Sequence, residues 1–276
     1  MRVLVTGAKG QLGYDVVRVL KENNIDHLGI DIDELDITVE DEVIRFVKEY
    51  KPTIIVHCAA YTAVDMAEDN KELVYKINVL GTKYLVEAAK QLDSKFVYIS
   101  TDYVFDGNGE NPFTINDNPA PVNYYGESKY AGELEVSNVL KKYYIIRISW
   151  VFGINGHNFI KTMLKLAETR NELTVVSDQV GSPTYTYDLS YAIYDLINSD
   201  DYGIHHITND GFCSWNEFSK EIFKQANKDV NVKPILTKDY PTRAKRPLNS
   251  RMKKNKIKLR PWQEALNHFL KEYKND

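Results

Sequence analysis

"RVLVTGAKGQLGYDVVRVL", residues 2–20, joins a short β-branched run to an amphipathic helical pattern through a turn that carries Gly7, Gly10 and Gly13. Three small residues at such a junction let the backbone turn tightly, bring its N–H groups close to a diphosphate and seat the helix on the sheet. The positive end of the helix favours the same negative charge. A glycine triplet alone says little. At the first strand–helix junction of an alternating chain, it predicts a dinucleotide-binding turn rather than a purely structural one.

The alternation continues. "HLGIDI" (27–32), "TIIVHCAA" (53–60), "KFVYIS" (95–100) and "YYIIRISW" (143–150) are apolar almost throughout. They are separated by the helical patterns "EDEVIRFVKEY" (40–50), a long stretch over 67–92, and a helix from about 124 to 142. Buried strands spaced by amphipathic helices predict a doubly wound parallel sheet, an α/β fold covered on both faces. After residue 150 the beat becomes irregular, with "GSPTYTYDL" opening a helix, "GIHHITN" a strand, "SWNEFSKEIFKQAN" a helix, "VNVKPILT" a strand and "WQEALNHFLKEY" a last helix. We therefore expect a dinucleotide-binding domain over 1–150 and a smaller substrate-binding lobe over 151–276, interleaved with it. The cleft should lie at the C-terminal edge of the sheet.

Composition narrows the function. A chain of 276 residues, 43% hydrophobic, can bury a large core. Its net charge of −4 argues against a nucleic-acid footprint. The sequence has no apolar run of 18 residues and opens directly on "MRVLVTGAKG", so no membrane segment or leader is expected and the protein should be soluble and cytoplasmic. Cys58 and Cys213 show neither metal nor disulfide spacing and are expected to be reduced and packed. The lysine-rich stretch 251–258 reads as a solvated face.

Chemistry concentrates in "YISTDYVFDG" (98–107) and "NYYGESKYAGE" (123–133). The first ends a central strand and leaves Ser100 and Thr101 at the expected cleft. The second opens a helix on which Tyr125 and Lys129, at i and i+4, share a face. Of 19 tyrosines, only Tyr125 has a lysine four residues on. Hydride transfer to a ketone leaves an alkoxide, and a tyrosine hydroxyl can protonate it while an ammonium and a cationic nicotinamide favour the phenolate. The pair is expected to lower the phenol toward neutrality. Thr101 would polarise the carbonyl.

In "GIDIDELDI" (29–37), Asp31 is placed to accept from a ribose hydroxyl, or is a turn carboxylate. No lysine or arginine follows it to meet a ribose phosphate, so NADH should be tolerated, while Lys9 keeps NADPH possible. Ala59 and Ala60 in "HCAAYTAVD" are small where a cofactor would cross the strand tip. Asn78 either bonds backbone near the site or is a surface residue.

The Gly-x-x-Gly-x-x-Gly spacing resembles the extended short-chain dehydrogenase/reductase superfamily. "STDYVFDG", "YGESKYAGE", "RISWVFG", "NFIKTMLKLA", "DQVGSPTYTYDL" and "RPLNS", in that order over essentially the whole chain, resemble the dTDP-4-dehydrorhamnose reductase family. The threonine–Asp–Glu of related dehydratases is absent, since Tyr103 follows Asp102. The resemblance implies reduction of a 4-keto group on a dTDP-linked 6-deoxyhexose with NADH or NADPH; the alternatives are another nucleotide-sugar reductase or epimerase, or a non-catalytic nucleotide-binding subunit. It also implies that Gly10, Gln11, Leu12, Asp31, Asp36, Ile37, Ala60, Tyr61 and Thr62 line the cofactor. Thr101 and Asp102 would contact substrate, Tyr125 would be the acid and Lys129 its partner. Trp150 would pack on the nucleotide-sugar, and Arg246, or alternatively Arg243, would meet its diphosphate. Family members often have histidine in place of Tyr61. Some dimerise through a magnesium held by three glutamates, matched here by Asp15, Tyr187 and Glu272, so no structural metal is expected, and the protein is a monomer or homodimer.

Overall fold

The computed structural model describes residues 1–274. The chain runs through β1 (Arg2–Thr6), α1 (Gln11–Glu22), β2 (Asp26–Ile30), α2 (Glu40–Tyr50), β3 (Ile54–His57), the short helices α3 (Val64–Ala67) and α4 (Lys71–Tyr75), α5 (Thr82–Leu92), β4 (Lys95–Thr101), α6 (Tyr124–Val139) and β5 (Tyr143–Ile148). All five strands are parallel, in the order β2-β1-β3-β4-β5, and the strand Gly203–His206 adds a sixth beside β5. The direction of winding reverses between β1 and β3, which opens a crevice at the strands' C-terminal ends. Among the described residues, no helix is long and apolar enough to cross a membrane.

Each face of the sheet has its own apolar layer. Val3 and Val5 of β1 turn toward α1 and the helix Thr186–Ile197, while Leu4 turns toward α2 and α5. A third core is built of aromatics, with Phe152, Tyr185, Phe218, Trp262 and Phe269 packed between the helices Trp215–Gln225 and Trp262–Tyr273. Burying each such side chain contributes about 1.5–3 kcal/mol. The helix Thr186–Ile197 and the strand Gly203–His206, both beyond residue 150, complete the large sheet rather than the aromatic lobe. A cut at residue 150 therefore does not separate two cores.

Two sequence-based expectations change in detail. The helix expected over 67–92 is broken. Asn70 turns its side-chain amide and its backbone N–H back to the Met66 carbonyl and ends α3, and a wide π turn over Lys76–Gly81 separates α4 from α5. In the lysine-rich segment Lys253, Lys256 and Lys258 are exposed as expected, but Met252 is buried, the Lys253 N–H donates to the Phe113 carbonyl, and Lys254 pairs with Asp210 at 2.7 Å.

A buried ion pair fixes α6. Glu133, one turn beyond Lys129, accepts two hydrogen bonds from Arg147 of β5, at 2.8 and 2.7 Å, and one from the Ser100 hydroxyl of β4 at 2.5 Å. Both charges are about 2% exposed. Removing one partner strands the other without solvent, whereas replacing both with apolar groups does not. Arg147→Met should lower the unfolding free energy by about 3–5 kcal/mol in urea titrations, and Arg147→Met with Glu133→Leu should lose distinctly less.

Candidate active site

The crevice is a cleft of about 740 Å³. Its floor at one end is the glycine turn. Gly7 has φ of +68°, and a Cβ on Gly13 would lie 2.1 Å from the Gly7 carbonyl oxygen, so turn and helix meet backbone to backbone. The Gly10 N–H donates to the Gly7 carbonyl at 3.0 Å. Gln11, Leu12, Asp31, Asp36, Ile37, Ala59, Ala60 and Thr62 line the same end. A helix N-terminus, a side-chain-free turn and a carboxylate at the tip of β2 together fit a dinucleotide. Tyr61 is not part of the lining. Its backbone N–H and carbonyl are both held by the Asn78 side chain, at 2.7 and 3.2 Å. Asn78 is buried in the π turn and also bonds Ser128 of α6 at 2.9 Å, so it supports the site's backbone and is not a surface residue.

At the other end, β4 delivers Thr101, the short turn Asp102–Val104 that follows it delivers Asp102, and α6 delivers Tyr125 and Lys129. Asn123 starts α6 by accepting the Gly126 N–H at 2.8 Å, and its amide donates to the Lys245 carbonyl at 2.9 Å. The Thr101 hydroxyl donates to Asp102 at 3.0 Å, accepts the Tyr103 N–H at 3.2 Å and lies near enough to the Tyr125 phenol to favour its ionised form. Lys129 is 3% exposed, with its ammonium 4.1 Å above the ring of Tyr98.

The electrostatics differ from expectation at Tyr125. Burial, and then the Asp102 carboxylate, push the phenol up rather than toward neutrality, so the protein's own field keeps it protonated, the form an acid needs. Burial pulls the Lys129 ammonium down to about 7, against the opposing pull of Glu133. Burial raises Asp102 to about 6, and its Oδ2 has no hydrogen-bond partner.

Trp150 lines the cleft with φ of +49°. Its ring stacks on Trp215 at 3.7 Å between centroids and 13° between planes, so one face is already covered by protein. Sequence reading does not reach Trp215, which is brought to the cleft by the pairing of Cys213–Ser214 with Val180–Gly181. Cys213 is buried, but Cys58 is half-buried and forms part of the cleft wall. Arg246 lies outside the lining. It donates to the Tyr103 hydroxyl at 3.1 Å and pairs with Asp65 at 2.6 Å, and Tyr103 lies edge-on to Tyr125 at 5.8 Å. Arg243 points away, to Asp69. Asp15 accepts from the Thr186 hydroxyl, and Arg18 pairs with both Asp15 and Glu272. Tyr187 donates to Glu22 at 3.1 Å. Among the described residues, no three His, Cys, Asp or Glu side chains form a group that could hold a metal.

A doubly wound sheet with a glycine turn at β1 and a Tyr-x-x-x-Lys helix beside β4 defines an extended short-chain dehydrogenase/reductase. Within that class the chain belongs to the RmlD substrate binding domain family, whose model matches residues 1–275. It is 40% identical to the spore coat polysaccharide biosynthesis protein SpsK of Bacillus subtilis, over 98% of this chain and 97% of that one. A crystal structure of a dTDP-4-dehydrorhamnose reductase from Clostridium acetobutylicum superposes with a TM-score of 0.97 at 42% identity, covering 99% of this chain and all of that one. That of Bacillus anthracis, in complex with NADP, gives 0.96 at 44% identity, covering 98% and 99%.

The low pKa of Lys129 has a consequence for stability. Between about pH 7, where the folded protein releases this proton, and the ordinary lysine range near 10.4, the unfolded chain binds more protons, so stability rises with pH across that window. Lys129→Met removes the buried charge. It should raise the unfolding free energy most below pH 7, by more than the ~1.4 kcal/mol that one pK unit represents, and the gain should shrink toward pH 10. Denaturant titrations of both proteins across that range test this.

Proposed function

We propose that this protein reduces the 4-keto group of dTDP-4-dehydrorhamnose with NADH or NADPH, giving dTDP-L-rhamnose, and works in the cytoplasm as a monomer or homodimer. The observation that carries the reading is the convergence of Thr101, Tyr125 and Lys129 at one end of a single cleft, in a chain matched over 1–275 by one family. On this reading residues 1–150 hold the dinucleotide and 151–276 contribute to the sugar end.

The nicotinamide, when bound, supplies a hydride to the carbonyl carbon. Gly7, Gly10, Gln11, Leu12 and Gly13 would present the turn to its diphosphate, and Asp31, Asp36, Ile37, Ala60 and Thr62 would line the rest of the dinucleotide. The Thr101 hydroxyl turns from Asp102 to donate its one proton to the ketone oxygen, and Tyr125 gives up its proton as negative charge builds there. Lys129 steadies the phenolate that remains. Asp102 and Trp150 contact the sugar. Arg246 meets the diphosphate of the substrate, its fork suited to phosphate oxygens, at the cost of its pairing with Asp65.

Nicotinamide oxidation by the purified protein, supplied with dTDP-4-dehydrorhamnose, tests the proposal. The wild type should turn over, and Tyr125→Phe should lower kcat by about 10²–10⁴ while still binding the dinucleotide. Absence of turnover in wild type that demonstrably binds the cofactor would overturn the substrate assignment.

A further inference from the structure

The segment 237–250 crosses from the aromatic lobe to the large sheet, and contacts other than the Arg246 ion pair hold it there. Thr237 donates through its N–H and its hydroxyl to Asp178, at 2.9 and 2.6 Å. The Ala244 N–H donates to Asp65 Oδ1 at 3.1 Å, and the Lys245 carbonyl accepts from Asn123 at 2.9 Å. Beyond Arg246, a Cβ on Gly107 would lie 2.3 Å from that of Pro247, and the Asn249 N–H donates to the Gly107 carbonyl at 2.9 Å. Fixed backbone therefore flanks Arg246 on both sides, and its guanidinium can change partner without moving the chain. That guanidinium stands behind the cleft wall. Its Nη2 donates to Asp65 Oδ2 at 2.6 Å and its Nη1 to the Tyr103 hydroxyl at 3.1 Å. Tyr103 and Val64, the residue before Asp65, both line the cleft. Among the described residues, the cations in the lining itself are Lys9, at the glycine turn, and Lys129, beside Tyr125 at the reacting end.

We infer that Asp65 is an internal competitor for the diphosphate of the substrate: it holds Arg246 in the absence of substrate, yields it when a nucleoside diphosphate enters and reclaims it when the product leaves. Asp65 thus sets nucleotide affinity by withholding Arg246. The inference rests on the reading of Arg246 as the partner of the substrate's diphosphate. A carboxylate and a phosphate offer a guanidinium fork the same pair of oxygens. The diphosphate brings two charges against one, which doubles the attraction at equal distance. The exchange leaves neither side stranded. The Asp65 side chain is 37% exposed and keeps the Ala244 N–H, so water takes the place of Arg246. Arg246, at 24%, trades one counter-charge for another and is never left without one.

Asp65→Asn separates competition from support, because an amide oxygen still accepts the Ala244 N–H but carries no charge to hold Arg246. Calorimetric titration of the full chain with dTDP and, separately, with NADH reads the difference. Asp65→Asn should bind dTDP about 10-fold tighter than the wild type, the factor that ~1.4 kcal/mol of relieved competition represents, with its NADH affinity unchanged. Damage to the fold would weaken binding, not tighten it. Arg246→Met should bind dTDP more weakly than the wild type, and adding Asp65→Asn to it should bring no gain, since the two act through one contact. Equal or weaker dTDP binding in Asp65→Asn, or the same gain in the Arg246→Met background, would overturn the inference and leave the nucleotide-sugar reading standing. A wild type that binds NADH and not dTDP would overturn that reading, and the inference with it.

Discussion

Helix α6 reaches the sheet only because Gly126 and Gly132 carry no side chain. A Cβ on Gly126 would lie 2.1 Å from the Tyr103 carbonyl oxygen, and one on Gly132 would lie 2.1 Å from the Tyr98 hydroxyl and 2.9 Å from the Asn78 carbonyl. Close approach sets the distance of the helix from β4, and the buried Glu133–Arg147 pair sets its rotation. With both fixed, Tyr125, Lys129 and Glu133, each four residues apart, fall on one face. The first two open onto the cleft and the third anchors beneath it. The π turn serves the same end, since it turns Asn78 inward to grip Ser128 on α6 and the Tyr61 backbone together.

This placement works against stability. Lys129 is held almost without solvent, with Glu133 as its main opposing charge, and Asp102 keeps one carboxylate oxygen unpartnered. Polar groups left in such states destabilise a fold and persist where chemistry uses them. Tyr125 shows the complementary case, because the same burial that strains Lys129 holds the phenol in its protonated form.

Much of this was legible in the sequence because it is local. The glycine turn, the strand–helix beat, Thr101 at a strand end and the Tyr125–Lys129 spacing each depend on neighbours a few residues apart. What escaped depends on distant partners. The strand Gly203–His206 reads like any short strand, and nothing nearby says that it joins β5. Trp215 meets Trp150 only through the packing of the aromatic lobe. The wide turn at Asn78 is a tertiary adjustment within a helical pattern. Of the lysines of 251–258, Lys253, Lys256 and Lys258 are exposed as the sequence suggests, and Lys254 is drawn in beside Asp210. The Tyr125 phenol is pushed up rather than down because burial and Asp102, neither visible in the spacing of the pair, outweigh the lowering influence of the Thr101 hydroxyl.

The central claim is that the cleft-facing side of α6 acts as one device, with Lys129 working through Tyr125. The most direct test is kcat/KM for ketone reduction in the wild type, Tyr125→Phe, Lys129→Met and the double variant. If the residues act as a unit, the double variant loses about as much as the more damaging single one. Losses that multiply would show two independent contributions and contradict the account.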